Sequence, residues 1–143
     1  MTGAPHQATC VAVDGRGVLI EGPPGSGKSS LALALIDRGA HLVGDDGVCL
    51  SVRDGRLWAA PPPRIAGLLE VRNIGLVTLP CTEAPVALVL RLEQAAPRFV
   101  ERAGSTALLG LPLPLIALWP DSPVLALRAE MALRIHGLPL SET

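Results

Sequence analysis

The sequence predicts an α/β fold organised around a phosphate-binding loop, and three observations predict it. Gly22-Pro23-Pro24-Gly25-Ser26-Gly27-Lys28-Ser29 fits the pattern G-x-x-x-x-G-K-[ST]. An apolar run of strand length ends just before it, and a run of strong helix formers, Leu31-Ala32-Leu33-Ala34-Leu35-Ile36, begins just after it. Further on, short apolar runs alternate with Gly, Pro and Asp punctuation, as in a sheet with tight turns.

The elements follow in order. Residues 9–13 read as a strand, Asp14-Gly15 as a hairpin turn and residues 17–21 as the returning strand. Residues 22–27 form the loop, and residues 28–38 a helix that ends at Gly39. That helix is apolar nearly all round from Leu31 to Ile36, which predicts burial against a sheet. Residues 41–43 are a short strand leading into Gly44-Asp45-Asp46. Residues 48–52 and 57–60 flank Arg53-Asp54-Gly55-Arg56 as a second hairpin. Pro61-Pro62-Pro63 then breaks regular structure. Residues 68–72 and 74–79 are short extended segments around Asn73, and residues 86–92 a central strand. Residues 94–106 read as polar connection and 115–118 as a last strand. Ser122 and Pro123 should open a final helix as cap and first residue, with Gly137 closing it.

With 143 residues the chain has room for one domain, 1–143, since a chain of this size buries roughly 70% of the surface it exposes when unfolded. It is 49% hydrophobic but only 2% aromatic, so the core must come from Leu, Val, Ile and Ala. A net charge of −1 gives no electrostatic case for nucleic acid as a partner. Cys10, Cys49 and Cys81 are odd in number and lack metal-ligand spacing, which fits small core residues in a reducing compartment. The beginning of the chain lacks the basic and apolar regions of a secretory leader, and no 18-residue apolar run exists to span a membrane. These features set the expectation of a cytoplasmic protein. The apolar residues 108–118 suit core packing, with a homo-oligomeric contact left open.

Each residue type in the loop has a physical reason. Glycines let successive N–H groups curl toward one anion, and the helix starting near Lys28 adds its positive dipole end. Lys28 is the chain's single lysine; the other eleven basic side chains are arginines. Its ammonium can reach the β- and γ-phosphates, while the Ser29 hydroxyl can ligate Mg²⁺. Asp45 and Asp46 close a short strand. Beside a phosphate loop, two carboxylates suit two jobs, holding a cation and removing a proton from an attacking hydroxyl.

Two stretches also carry a resemblance. Val18-Leu19-Ile20-Glu21-Gly22 through Ser29, with residues 31–46, is similar to the catalytic domain of the bacterial HPr kinase/phosphorylase family, and Leu69-Glu70-Val71-Arg72-Asn73-Ile74-Gly75 resembles a later signature of that family. The resemblance covers roughly residues 6–80. It implies a P-loop nucleotide-binding fold with a mixed sheet, akin to the nucleotide domain of phosphoenolpyruvate carboxykinase. It implies an ATP- and Mg²⁺-dependent protein-serine kinase acting on the phosphocarrier HPr, and dephosphorylation by phosphorolysis at the same site. Carried over by position, the loop residues Gly22, Pro23, Pro24, Gly25, Ser26, Gly27, Lys28, Ser29 and Ser30 bind ATP phosphates, with Arg72 positioning phosphate or substrate. The resemblance implies that one of Asp45 and Asp46, Asp45 by preference, acts as base, that the other (then Asp46) joins Ser29 and Glu70 at the metal, and that His6 lies near the base. The chain departs from the pattern at Pro24, Ser30 and Asn73, and Trp119-Pro120-Asp121-Ser122-Pro123 stands where the family has a basic segment. Two other readings stay open, a nucleotide-sensing module with little turnover and a small-molecule P-loop kinase. Only Arg98 and Arg102 are candidates for the latter's phosphate-reaching lid.

Overall fold

The computed structural model describes residues 3–140, so the expected span 1–143 runs past the described residues at both ends. Within them the chain forms β1 (Ala4–His6), β2 (Thr9–Val13), β3 (Arg16–Glu21), α1 (Lys28–Asp37), β4 (His41–Gly44), β5 (Val48–Arg53), β6 (Arg56–Ala60), β7 (Leu68–Val71), β8 (Gly75–Thr78), β9 (Ala84–Leu92), β10 (Gly104–Leu108), β11 (Leu111–Leu118) and α2 (Leu125–His136). Nine strands make one sheet in the order β1-β5-β6-β9-β3-β2-β4, with β11 on β9 and β10 on β11. β3, β9 and β11 run parallel and the other pairings are antiparallel, so the sheet is mixed as expected. β7 and β8 form a separate two-stranded hairpin.

β9 is the axis of this architecture because its sequence, APVALVLRL, is apolar on both faces. Leu88, Leu90 and Leu92 pack into one cluster with α1 and α2, while Val86 and Val89 pack into a second beneath β5 and β6. Leu90 is completely buried. Leu90→Ala should therefore lower the unfolding free energy by about 2–5 kcal/mol, seen as a lower urea midpoint at constant m-value.

Three hairpins use the same turn geometry. Asp14-Gly15 and Asp54-Gly55 both have positive φ at each central residue, as the type I′ turn requires. Leu109-Gly110 does the same with φ of 50° and 80°. A leucine in that conformation is uncommon, which is why no turn signal marked the β10–β11 hairpin. Residues 104–106, expected as polar connection, are strand, and β11 starts at Leu111 rather than 115. Pro112 and Pro114, which lack a backbone N–H, lie within this strand. They are tolerated because β9 joins β11 only from Leu115 onward, leaving one edge free beside the prolines. β1 was likewise not anticipated; it is held by antiparallel pairing to β5.

α1 ends at Gly39 (φ 110°), where Ala40 N–H donates to Leu35 O at 3.0 Å across the cap. Leu31, Ala32 and Leu35 are buried but Leu33 is 38% exposed, so one face of this apolar helix meets solvent. α2 begins later than expected. Its cap residue is Val124, and Ser122 Oγ instead accepts the Val124 N–H at 3.1 Å in the turn before it. Of the cysteines, only Cys10 is fully buried, where burial pushes its thiol pKa up and keeps it neutral. Cys49 is half-buried and Cys81 is exposed, against the expectation of three core residues. No helix among the described residues is long and apolar enough to cross a membrane.

Candidate active site

The loop lies where β3 delivers the chain to the start of α1. Ser26 N–H donates to Pro23 O at 3.1 Å, closing a turn with Pro24 second and Gly25 (φ 80°) third. Proline's fixed φ and glycine's positive φ are both favourable at those positions. Pro24 thus costs the loop one N–H but presets its bend. A Cβ on Gly22 would stand 2.6 Å from Ser26 Oγ and 3.1 Å from Leu92 O, so only glycine lets the loop close against β9.

Two observations fit this loop to a polyphosphate. First, α1 is capped by Gly27 (φ 100°), with no side-chain cap and no acidic residue in its first turn. Its leading N–H groups and positive dipole end are left for an anion. Second, Ser26 Oγ is buried with no hydrogen-bond partner among the described residues, a hydroxyl that an arriving oxygen would satisfy. Lys28 Nζ meanwhile donates to Gly22 O at 2.8 Å and Pro23 O at 3.3 Å. Exchanging these neutral carbonyls for phosphate oxygens makes the contact charge-assisted on both sides.

Asp45 ties three elements together. Its Oδ1 accepts Ser29 Oγ–H at 2.6 Å and Thr9 Oγ1–H at 3.2 Å, and its Oδ2 accepts Glu70 N–H at 3.0 Å. Asp46 follows in the left-handed conformation (φ 60°), with its N–H donating to Thr9 Oγ1 at 3.2 Å. A loop hydroxyl bonded to a strand-end carboxylate is the arrangement that borders Mg²⁺ in P-loop proteins. No group of three or more His, Cys, Asp or Glu side chains forms a metal cage among the described residues.

These parts face one cleft of about 1030 Å³. Gly22, Pro24, Gly25, Gly27, Lys28, Ser29, Ser30, Asp45, Asp46, Glu70 and Arg72 all line it, while Pro23 and Ser26 form the turn beneath. The opposite wall is the β7–β8 hairpin, whose tip has Asn73 at φ 72°. Asparagine tolerates the left-handed region better than other side chains, so it can stand where a glycine was expected. His6 belongs to edge strand β1, which turns its ring toward Glu21, with Nε2 3.3 Å from Oε2. Glu21 also accepts Arg91 Nη2–H at 3.1 Å, and Glu21 and Gln7, rather than His6, line the cleft. Sequence reasoning missed Thr9 and Glu21. Thr9 is buried yet polar at the head of an apolar strand, and Glu21 is a charge ending another; those were the available signals.

The chain is similar to known proteins in both sequence and fold. Residues 3–82 match the family described as the HPr serine kinase C-terminal domain. The HPr kinase/phosphorylase of Clostridium novyi (strain NT) is 41% identical over 103 residues, covering 66% of this chain and 34% of that protein. That of Clostridium tetani (strain Massachusetts / E88) is 46% identical over 70 residues, covering 49% and 23%. This chain thus spans about a third or less of the length of the curated relatives it matches. Among solved structures, the HPr(Ser) kinase/phosphatase from Coxiella burnetii superposes with a TM-score of 0.81 at 28% identity, covering 92% of this chain and 88% of that one.

Proposed function

The chain belongs to the HPr serine kinase C-terminal domain family, and from that premise we propose that it is an ATP- and Mg²⁺-dependent kinase transferring a phosphoryl group to a serine of HPr. The observation that carries the reading is the Ser29–Asp45 hydrogen bond of 2.6 Å. It joins the phosphate loop to a paired carboxylate across one cleft.

The residues divide the work as follows. The amides that open α1 and the Lys28 ammonium bind the β- and γ-phosphates, with Ser30 beside the next phosphate inward. Arg72, on the facing hairpin, balances charge on the phosphoryl group in transit. Ser29, Asp46 and Glu70 would hold Mg²⁺, which would supply positive charge against the phosphates. Asp45 presents two oxygens to different neighbours, so it can border the cation through Oδ1 and still accept the proton of an incoming hydroxyl. In the step, the serine Oγ–P bond forms, the bond from phosphorus to the ADP oxygen breaks, and the serine proton passes to Asp45. Glu21, steadied by Arg91 and His6, fixes the loop's entry. A kinase that draws on ATP in this way works in the cytoplasm.

Incubation with labelled ATP, Mg²⁺ and purified HPr tests the proposal. Label on an HPr serine is the expected result. Binding of ATP without transfer would overturn the kinase reading in favour of a nucleotide sensor. Adding inorganic phosphate to the phosphorylated product asks whether the same loop also runs phosphorolysis, with pyrophosphate as the readout.

A further inference from the structure

None of the described residues that line the cleft is aromatic, so its walls offer the base of a nucleotide no stacking face. Ser29 and Asp45 mark the terminal-phosphate side, and Asp45 follows β4, which lies beyond β2 from β3. A nucleotide laid across the strand ends with its last phosphate there extends the other way, over β9 and β11. The registers Glu21↔Arg91 and Leu118↔Leu92 bring β3, β9 and β11 to the same level at their ends. Gly22 and Trp119 therefore leave the sheet about 10 Å apart, two strand spacings.

The residues at that position are unusual for this chain. Its aromatic side chains are Trp58, Phe99 and Trp119. Trp119 directly follows β11. Phe99 lies in the connection from β9 to Gly104, and Gly104 pairs with Leu115, so this connection crosses the same end of the sheet. Phe99 is 67% exposed and Trp119 is 43% exposed. Trp119 Nε1–H donates to Gln94 Oε1 at 2.9 Å, and Gln94 Nε2–H donates to Asp121 Oδ2 at 2.8 Å. The indole is thus fixed by its edge. The Gln94 amide keeps a second N–H and a second lone pair for another ligand.

Resting on the ATP reading above, we propose that Trp119 is a stacking platform for the purine base of the bound nucleotide, with Gln94 reading the base edge and Phe99 closing over it. The chemistry is complementary: a π-face takes any flat heteroaromatic ring, and an amide pairs with ring nitrogens or an exocyclic amine. The Trp119-to-Pro123 segment, which replaces the family's basic stretch, thereby gains a role in this chain.

Calorimetry with ATP and with inorganic tripolyphosphate, on the wild-type chain and on Trp119→Ala and Trp119→Phe, separates base binding from phosphate binding. Trp119→Ala should weaken ATP by roughly ten-fold or more and leave tripolyphosphate affinity unchanged. Trp119→Phe should keep most of the ATP affinity. In a Trp58→Phe background, ATP but not tripolyphosphate should change the remaining tryptophan emission. The platform is overturned if Trp119→Ala binds ATP as the wild type does, or if it loses both ligands equally. A wild-type chain that takes tripolyphosphate without preferring ATP overturns the platform but leaves the phosphate loop standing. A wild-type chain that binds neither overturns the ATP reading, and the platform with it.

Discussion

Lys28→Ala is expected to weaken ATP binding by about 100-fold or more, because it removes the loop's only mobile positive charge from a partly desolvated site. The ammonium already sits among loop carbonyls, 2.8 Å from Gly22 O. The chain has no second lysine to replace it, and among the described residues Arg72 is the one arginine that lines the cleft, from the facing hairpin. The fold should survive. Lys28 is half-buried at the head of α1, and the carbonyls it leaves lie beside a cleft that water can enter. Titration calorimetry with ATP and Mg²⁺, beside a melting curve that does not move, checks both halves. Lys28→Arg should not restore affinity, since a planar guanidinium fork cannot occupy the space of a compact ammonium. ATP affinity equal to wild type in Lys28→Ala would remove this loop from any account of function.

How far the sequence alone could lead depended on how local each signal was. The loop was fully legible because its residues are contiguous and each has a backbone reason to be there. Two Asp-Gly hairpins were legible for the same cause, whereas Leu109-Gly110 carried the same geometry on a residue that does not advertise it. Prolines in β11 hid a strand whose free edge only the sheet reveals. Ser122 looked like a helix cap, yet the chain makes one more turn before α2 begins, so the cap position falls on Val124.

The site shows the same division. Asp45 was readable as a strand-end carboxylate, but its partners Thr9 and Glu70 lie 36 and 25 residues away. Such contacts are set by the stacking of β2, β4 and β7 around α1, and no spacing rule encodes them. His6 was named from the family resemblance; the pairing of β1 with β5, which no local signal announces, sets its ring against Glu21. Glu21 itself is joined to Arg91 across β3 and β9, 70 residues apart in sequence.

Asp45→Asn should leave ATP affinity within a few-fold of wild type and lower kcat for transfer to HPr by about 10²–10⁴, the range a positioned general base contributes. Asparagine keeps the shape of the side chain, and its remaining oxygen can still accept from Ser29 and Thr9. Its amide nitrogen, however, must then face the Glu70 N–H that Asp45 Oδ2 now accepts at 3.0 Å. Two donors meet there, so the β7 wall should loosen slightly without unfolding the domain. A loss confined to binding would instead point to a cation held mainly by Asp45. The parallel variant Asp46→Asn divides these roles: it should raise the Mg²⁺ concentration needed for half-maximal transfer while retaining turnover at saturating metal. The exchange of these two phenotypes would move the base to Asp46 and the metal to Asp45. Wild-type transfer rates in both variants would exclude proton removal by either carboxylate and leave the loop to act by positioning alone.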